Sequence, residues 1–236
     1  IPHMREWTAE LEGVSLADNY IKEITDGTSP NCPRLSTFIL SRNPIIHISN
    51  CFFRHMKALT QLDLSYNYFL TSLPKSLSKL RSLISLVLRG CPYLEDIRPI
   101  GKLKGLSRLD ISKCDSILQV PESIQKLQKL QWLDMYQNKN STMKLIPGVL
   151  PGLTSMQYLD LRGCSDIKVE DVKRMTMLEC FAGSFLDQDR YNCYVQEILD
   201  SGYGPQTYTI KFGKFENETL HFYDHSIHVK FKLGRV

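Results

Sequence analysis

Leu59-Thr60-Gln61-Leu62-Asp63-Leu64-Ser65-Tyr66-Asn67 is apolar at its first, fourth and sixth places and ends on Asn. Leu62 and Leu64 alternate with Gln61, Asp63 and Ser65, so in an extended strand the leucines take one face and the polar residues the other. The same nine-residue frame, closing on Asn or Cys, starts at Leu11, Leu35, Leu59, Leu83, Leu106, Leu130 and Met156. Successive starts lie 24, 24, 24, 23, 24 and 26 residues apart, a period that marks a repeat architecture. One such unit cannot bury its apolar side alone. Neighbours must stack into a solenoid, with the strands side by side as a parallel sheet on the concave face.

The last place of the frame gives the series Asn19, Asn43, Asn67, Cys91, Cys114, Asn138 and Cys164. Asn and Cys side chains can bond the backbone of a turn that water cannot reach, so the series reads as a structural ladder. Apolar residues follow three and six places on (Leu70 with Leu73, Leu94 with Ile97, Ile117 with Val120) and should line the same core. Pro74, Pro99, Pro121 and, in the longer sixth repeat, Pro147 then end the strand-like arm. The return segments are apolar at every third place, as in Leu77-Leu80-Leu83 and Ile124-Leu127-Leu130, which suits short helical or 3₁₀ turns on the convex side.

Beyond about Leu178 the frame fails. Tyr191 to Leu199, with Val195, Ile198 and Leu199, predicts a short amphipathic helix. Tyr208 to Phe212 and Ile227 to Leu233 alternate like strands. The expected organisation is an α/β repeat solenoid over residues 1–177 and a β-rich cap or set of degenerate repeats over 178–236, covering an end that would otherwise expose core and sheet edges. Before Leu11 the opposite end lacks such cover.

Composition narrows the function. The charge of +4 comes from 29 basic and 25 acidic residues scattered through the chain, without the concentrated basic stripe of a nucleic-acid binder. Apolar stretches such as Leu35 to Leu40 and Leu83 to Leu88 fall far short of the ~20 residues of a membrane span. Residues 1–7 show no apolar signal core, and seven cysteines, three of them in the ladder, point to a reducing cytoplasm over secretion. The sequons Asn140-Ser141-Thr142 and Asn217-Glu218-Thr219 argue weakly the other way.

The spacing lies within that of leucine-rich repeats. Leu11-Glu12-Gly13-Val14-Ser15-Leu16, Cys32-Pro33-Arg34-Leu35-Ser36-Thr37, Phe52-Phe53-Arg54-His55-Met56, Leu62-Asp63-Leu64-Ser65 and Leu73-Pro74-Lys75-Ser76-Leu77 together carry a more specific likeness. From roughly Trp7 to Phe212 the sequence resembles the repeat region of plant nucleotide-binding leucine-rich-repeat resistance proteins of the coiled-coil type. The resemblance implies a domain that binds a pathogen effector or a guarded host protein and holds the upstream nucleotide-binding domain of the same receptor inactive. No Gly-rich phosphate loop ending in Gly-Lys-Ser or Gly-Lys-Thr occurs here, so no cofactor is expected on this chain, and ADP or ATP only on such an upstream domain. The alternative is a free-standing adaptor or inhibitor module of the same fold. The plant extracellular kind would show a Gly before the Ile-Pro step, where this chain has Leu73-Pro74.

Strand alternation points Gly13, Ser15, Ala17, Thr37, Ser41, Gln61 and Ser65 outward in the early repeats, most of them small. The later repeats offer Arg89, Arg108, Asp110, Trp132, Asp134, Tyr136, Tyr158, Asp160 and Arg162, with Lys113 in the turn beyond. Trp, Tyr and Arg anchor protein interfaces most often, so repeats four to seven are the expected contact face. Two structural readings stand beside this one: Trp132 and Tyr158 as a cross-strand stack, and the aspartates as a row neutralised by Arg108 and Arg162. His225 and His228 would point to opposite faces of a strand, which disfavours a metal site with His221. No nucleophile is paired with a base in a catalytic spacing, and no enzymatic activity is expected.

Overall fold

The computed structural model describes residues 6–137, 143–165, 167–185, 188–201, 205 and 207–212. In chain order the strands are β1 (Gly13–Ser15), β2 (Glu23–Ile24), β3 (Thr37–Ile39), β4 (His47–Ile48), β5 (Gln61–Asp63), β6 (Ser85–Val87), β7 (Arg108–Asp110), β8 (Trp132–Asp134), β9 (Met143–Lys144), β10 (Tyr158–Asp160), β11 (Cys164–Ser165), β12 (Cys180–Phe185) and β13 (Thr207–Phe212). Nine of them form one parallel sheet in the order β1-β3-β5-β6-β7-β8-β10-β12-β13. Each of the seven frames thus contributes its fourth-place residue to a single row, Val14-Phe38-Leu62-Leu86-Leu109-Leu133-Leu159, which Phe181 of β12 continues in the same register. From Phe38 onward that row is buried, as are the first-place row from Leu35 to Met156 and the sixth-place row from Leu40 to Leu161.

The return segments are 3₁₀ turns at Lys75–Lys79, Arg98–Lys102, Glu122–Lys126 and Leu150–Gly152. Their bonds span three residues, as from the Leu80 N–H to the Leu77 carbonyl (3.0 Å) and from Leu127 to Ile124 (2.9 Å), which is why one apolar residue in three faces inward. Pro74 and Pro121, both extended, lead into two of these turns. Between strand and return, the paired strands β2-β4 and β9-β11 hold successive coils together.

The ends differ. At the first repeat Leu11, Val14 and Leu16 remain half-buried, but Trp7 folds over the core there and packs edge-on against Phe38 (5.9 Å) and Phe52 (5.8 Å), cover that the sequence reading did not foresee. At the other end the sheet runs on past residue 178: β12 pairs with β10, and β13 pairs with β12 over six residues. A short helix α1 (Val169–Lys173) precedes β12, and a helix α2 (Gln188–Ser201), longer than the predicted 191–199, makes the crossover. Tyr194 of α2 is buried between Phe181 and Phe185, with ring centres 5.3 and 5.4 Å away. Among the described residues no helix is long and apolar enough to cross a membrane.

Candidate binding face

Constant register turns alternation into rows on the concave face. The first reads Gly13, Thr37, Gln61, Ser85, Arg108, Trp132, Tyr158, and the second Ser15, Ile39, Asp63, Val87, Asp110, Asp134, Asp160. Two residues past the second row, backbone bonds such as Leu88 N–H to Asp110 O and Gly90 N–H to Ser112 O (2.8 and 2.9 Å) continue the register. The third row is therefore Arg89, Ser112, Tyr136, Arg162 over the later repeats. Gln61, Ile39 and Asp63 apart, small side chains occupy the early end of the rows, and the aromatic rings stand at the late end.

The large ones are organised. Trp132 and Tyr158 stack with ring centres 4.6 Å apart and planes 12° from parallel. The Arg108 guanidinium lies 3.7 Å from the centre of the Trp132 ring, so Trp132 is sandwiched and offers its edge outward. Arg108 itself is exposed. It does not neutralise the aspartate row, as the sequence allowed; the indole face holds it instead. Arg162 lies 4.7 Å from the Tyr136 ring centre while its Nε and Nη2 donate to Asp160 at 2.6–3.1 Å. Arg89 donates from Nε to the Tyr66 hydroxyl (3.2 Å), the main reason its pKa rises above the ordinary value. Burial in the stack, with Asp160 and Asp134 beneath it, pushes the Tyr158 hydroxyl up to about 12.

The aspartates correct the expectation that they belong to the contact surface. Asp110, Asp134 and Asp160 stand in the concave rows but are only 4%, 7% and 1% exposed. Each Oδ1 accepts the backbone N–H two residues on, from Ser112, Tyr136 and Arg162, all at 3.0 Å. They close the turn after the strand. Among the described residues no ion pair reaches Asp134, and Arg89 favours its anion only at longer range. Burial, reinforced by Asp110 and Asp160, raises its pKa to about 6 even though the Tyr136 N–H stabilises the anion.

In the turn, the eighth place of the frame is left-handed at Asp18, Arg42, Tyr66, Gly90, Lys113 and Gly163. Lys113 (φ 57°) is held half-buried by that backbone. The ninth-place residues climb the solenoid as a ladder. Asn43 Nδ2 donates to the Leu16 carbonyl, Asn67 to Leu40, Cys91 Sγ to Leu64, Cys114 to Leu88 and Cys164 to Met135, each reaching the sixth place of the preceding frame. Burial pushes the Cys91 thiol up to about 12 and those of Cys114 and Cys164 further, which keeps them protonated as donors. Asn19 departs from the series: it is exposed at the open end and bonds the Ala17 carbonyl of its own repeat. Asn138, both sequons' asparagines and the tail histidines lie outside the described residues.

Two features of the face lay beyond sequence reading. Ser112 is fully buried, its hydroxyl donating to Asp110 Oδ1 (2.6 Å), so the third row is covered between Arg89 and Tyr136. Along the rim just before the first row runs a shallow depression lined by Arg81, Ile84, Ser107, Lys129 and Gln131. Only the register identifies residues so far apart in sequence as neighbours.

Comparison with known proteins agrees with this geometry. The leucine rich repeat family model matches residues 9–69 and 33–92. A disease resistance protein of Arabidopsis thaliana is 31% identical over 84% of this chain and 24% of its own length. The disease resistance proteins RFL1 and UNI of the same plant are 32% and 35% identical over 68% and 59% of the chain, and 18% and 15% of their own. The chain therefore spans about a quarter or less of the length of these relatives. Among solved structures, the Arabidopsis receptor kinase HAESA in complex with the peptide hormone IDA and the co-receptor SERK1 superimposes with a TM-score of 0.56 at 22% identity, over 75% of this chain and 34% of that one. An internalin of Listeria monocytogenes gives 0.52 at 18%, over 82% and 60%. These likenesses concern the fold.

Proposed function

Because the chain belongs to the leucine-rich-repeat family, with repeats of the kind found in plant disease resistance proteins, we propose that it is the protein-recognition domain of a plant immune receptor. The concave face of repeats four to seven contacts a pathogen effector or a guarded host protein in the cytoplasm, and the domain restrains an upstream nucleotide-binding domain until that contact is made. ADP or ATP belongs to that upstream domain. The observation that carries the reading is the uneven concave face: small residues over repeats one to three, and a preformed ridge of Arg108, Trp132 and Tyr158 with Tyr136 and Arg162 over the later ones. Rigid aromatic and guanidinium groups lose little freedom on binding, which is why interfaces concentrate affinity in them.

Two measurements test this. An antibody raised against the chain should detect, in source tissue, a polypeptide several times larger than 27.2 kDa; a band at 27.2 kDa points instead to a free-standing binding module. In the full receptor, Trp132→Ala should lower affinity for the recognised protein at least tenfold while circular dichroism and melting temperature stay near wild type. Unchanged affinity removes the concave ridge from the interface.

A further inference from the structure

The charged groups on this face are not balanced where a partner would meet them. Asp110 and Asp134 are buried and engaged with backbone N–H groups, and buried Asp160 is paired with Arg162, whereas other cations of this face are accessible. Arg108 is exposed, Arg89 is half-exposed, and Arg81 and Lys129 line the rim depression beside the same strands. Among the described residues none of these four is in an ion pair. Arg108 is also preorganised, because its guanidinium rests over the Trp132 ring, 3.7 Å from the ring centre, while the side chain stays exposed. On the neighbouring strand Ser85 and Val87, both half-buried, precede Arg89. At the rim Ile84 is 50% exposed in the midst of Arg81 and Lys129.

Resting on the concave-face reading above, we propose that the partner offers an acidic protein segment: one carboxylate on the N–H edge of Arg108, another on Arg89 past the small, half-buried Ser85 and Val87, and an apolar side chain over Ile84 between Arg81 and Lys129. Trp132 then acts chiefly as a clamp. It holds Arg108 in the orientation that accepts a carboxylate through paired N–H donors, a geometry that Lys cannot reproduce. The small size of Ser85 and Val87 lets the segment lie close to the strands, and the buried aspartates do not meet its charge.

The test is a selection of phage-displayed random dodecapeptides on the full chain, followed by fluorescence anisotropy of the enriched peptides after synthesis. Enriched sequences should carry two or more Asp or Glu near an apolar residue. Arg108→Gln should weaken them at least tenfold, Arg108→Lys should restore only part of the loss, and Thr37→Ala, in the early repeats, should change nothing; melting curves of each variant report folding. Neutral peptides that bind in dependence on Trp132 and Tyr136 but not on Arg108 would overturn the acidic preference and leave the concave interface standing. Peptides indifferent to every concave substitution, or no enrichment at all, would overturn both. Binding of a random-sequence DNA duplex as tight as that of the best acidic peptide would reassign the surface to phosphate.

Discussion

At the scale of single residues, the ladder shows that one position serves two chemistries. Asn43 is bonded at both ends of its amide: Nδ2 reaches the Leu16, Leu40 and Ser41 carbonyls, and Oδ1 accepts the N–H groups of Asn19 and Ile21 at 3.0 Å. Asn67 donates to Leu40 and Leu64, but its buried Oδ1 has no hydrogen-bond partner among the described residues. A thiol supplies one donor and needs no acceptor filled, which suits places 91, 114 and 164. Asn67→Cys should therefore stay within about 1 kcal/mol of wild type in urea denaturation, whereas Asn43→Cys, which strands the buried Ile21 N–H as well, should cost about 2–4 kcal/mol. Equal losses at the two positions would refute this division of roles. Asp134 makes a second case. Its folded pKa of about 6 lies above the ordinary 3.8, so the native state retains a proton that the unfolded chain releases. Its contribution is full below the unfolded value and is lost as pH rises through about 6. Asn at 134 can still accept the Tyr136 N–H, so Asp134→Asn should flatten the fall in melting temperature between pH 4 and 6 and gain roughly 1–2 kcal/mol at pH 7, solvent screening allowed for. An unchanged pH slope would mean that burial of this carboxylate is not what tunes it. The ladder was legible in the sequence, but the burial of Asp110, Asp134 and Asp160 was not, because alternation makes them look like outward polar residues.

At the scale of elements, what was legible is what depends on local spacing. The period of two in Leu62-Asp63-Leu64 became a strand, and the period of three in Leu77-Leu80-Leu83 and Ile124-Leu127-Leu130 became 3₁₀ turns with bonds across three residues. The alternation of Tyr208 to Phe212 became β13. Boundaries set by partners were less visible. The α2 helix begins at Gln188, ahead of the apolar residues that announce it, and Tyr194, which seats it on Phe181 and Phe185, reads as nothing more than an aromatic in the chain. The Trp132-Tyr158 stack was foreseeable from their equivalent places, but the addition of Arg108 to the far face of Trp132 was not, because two arrangements, on the ring or on an aspartate, satisfy the same register. The candidate face was thus legible in its location and illegible in its exposed chemistry.

At the scale of the whole molecule, the chain is a line of coils in which each is held by the next, and the position of a lesion along the line should decide its reach. Leu109 sits in the middle of the fourth-place row, between Leu86 and Leu133, and is fully buried. Phe181, equally buried, sits in the same row near its end, between Leu159 on β10 and Tyr208 on β13. Truncation at either site opens a cavity worth about 2–5 kcal/mol, yet the consequences should differ. Leu109→Ala weakens contacts on both sides, so hydrogen exchange should quicken across the strands from β5 to β10 and the denaturation midpoint should fall for the chain as a whole. Phe181→Ala loosens only the β12-α2-β13 unit, so exchange should quicken beyond about residue 178 while β3 to β8 keep their protection and a minor transition appears ahead of the main one. The difference matters for function, because the Arg108-Trp132-Tyr158 ridge stands between the two lesions: the end lesion should leave peptide binding to the ridge within about twofold, a loss of ~0.4 kcal/mol, whereas the central one removes the platform on which the ridge is built. If both variants unfold in one step with the same exchange pattern, the coils are coupled more tightly than a nearest-neighbour line allows, and recognition at the ridge would then be felt at both ends of the solenoid.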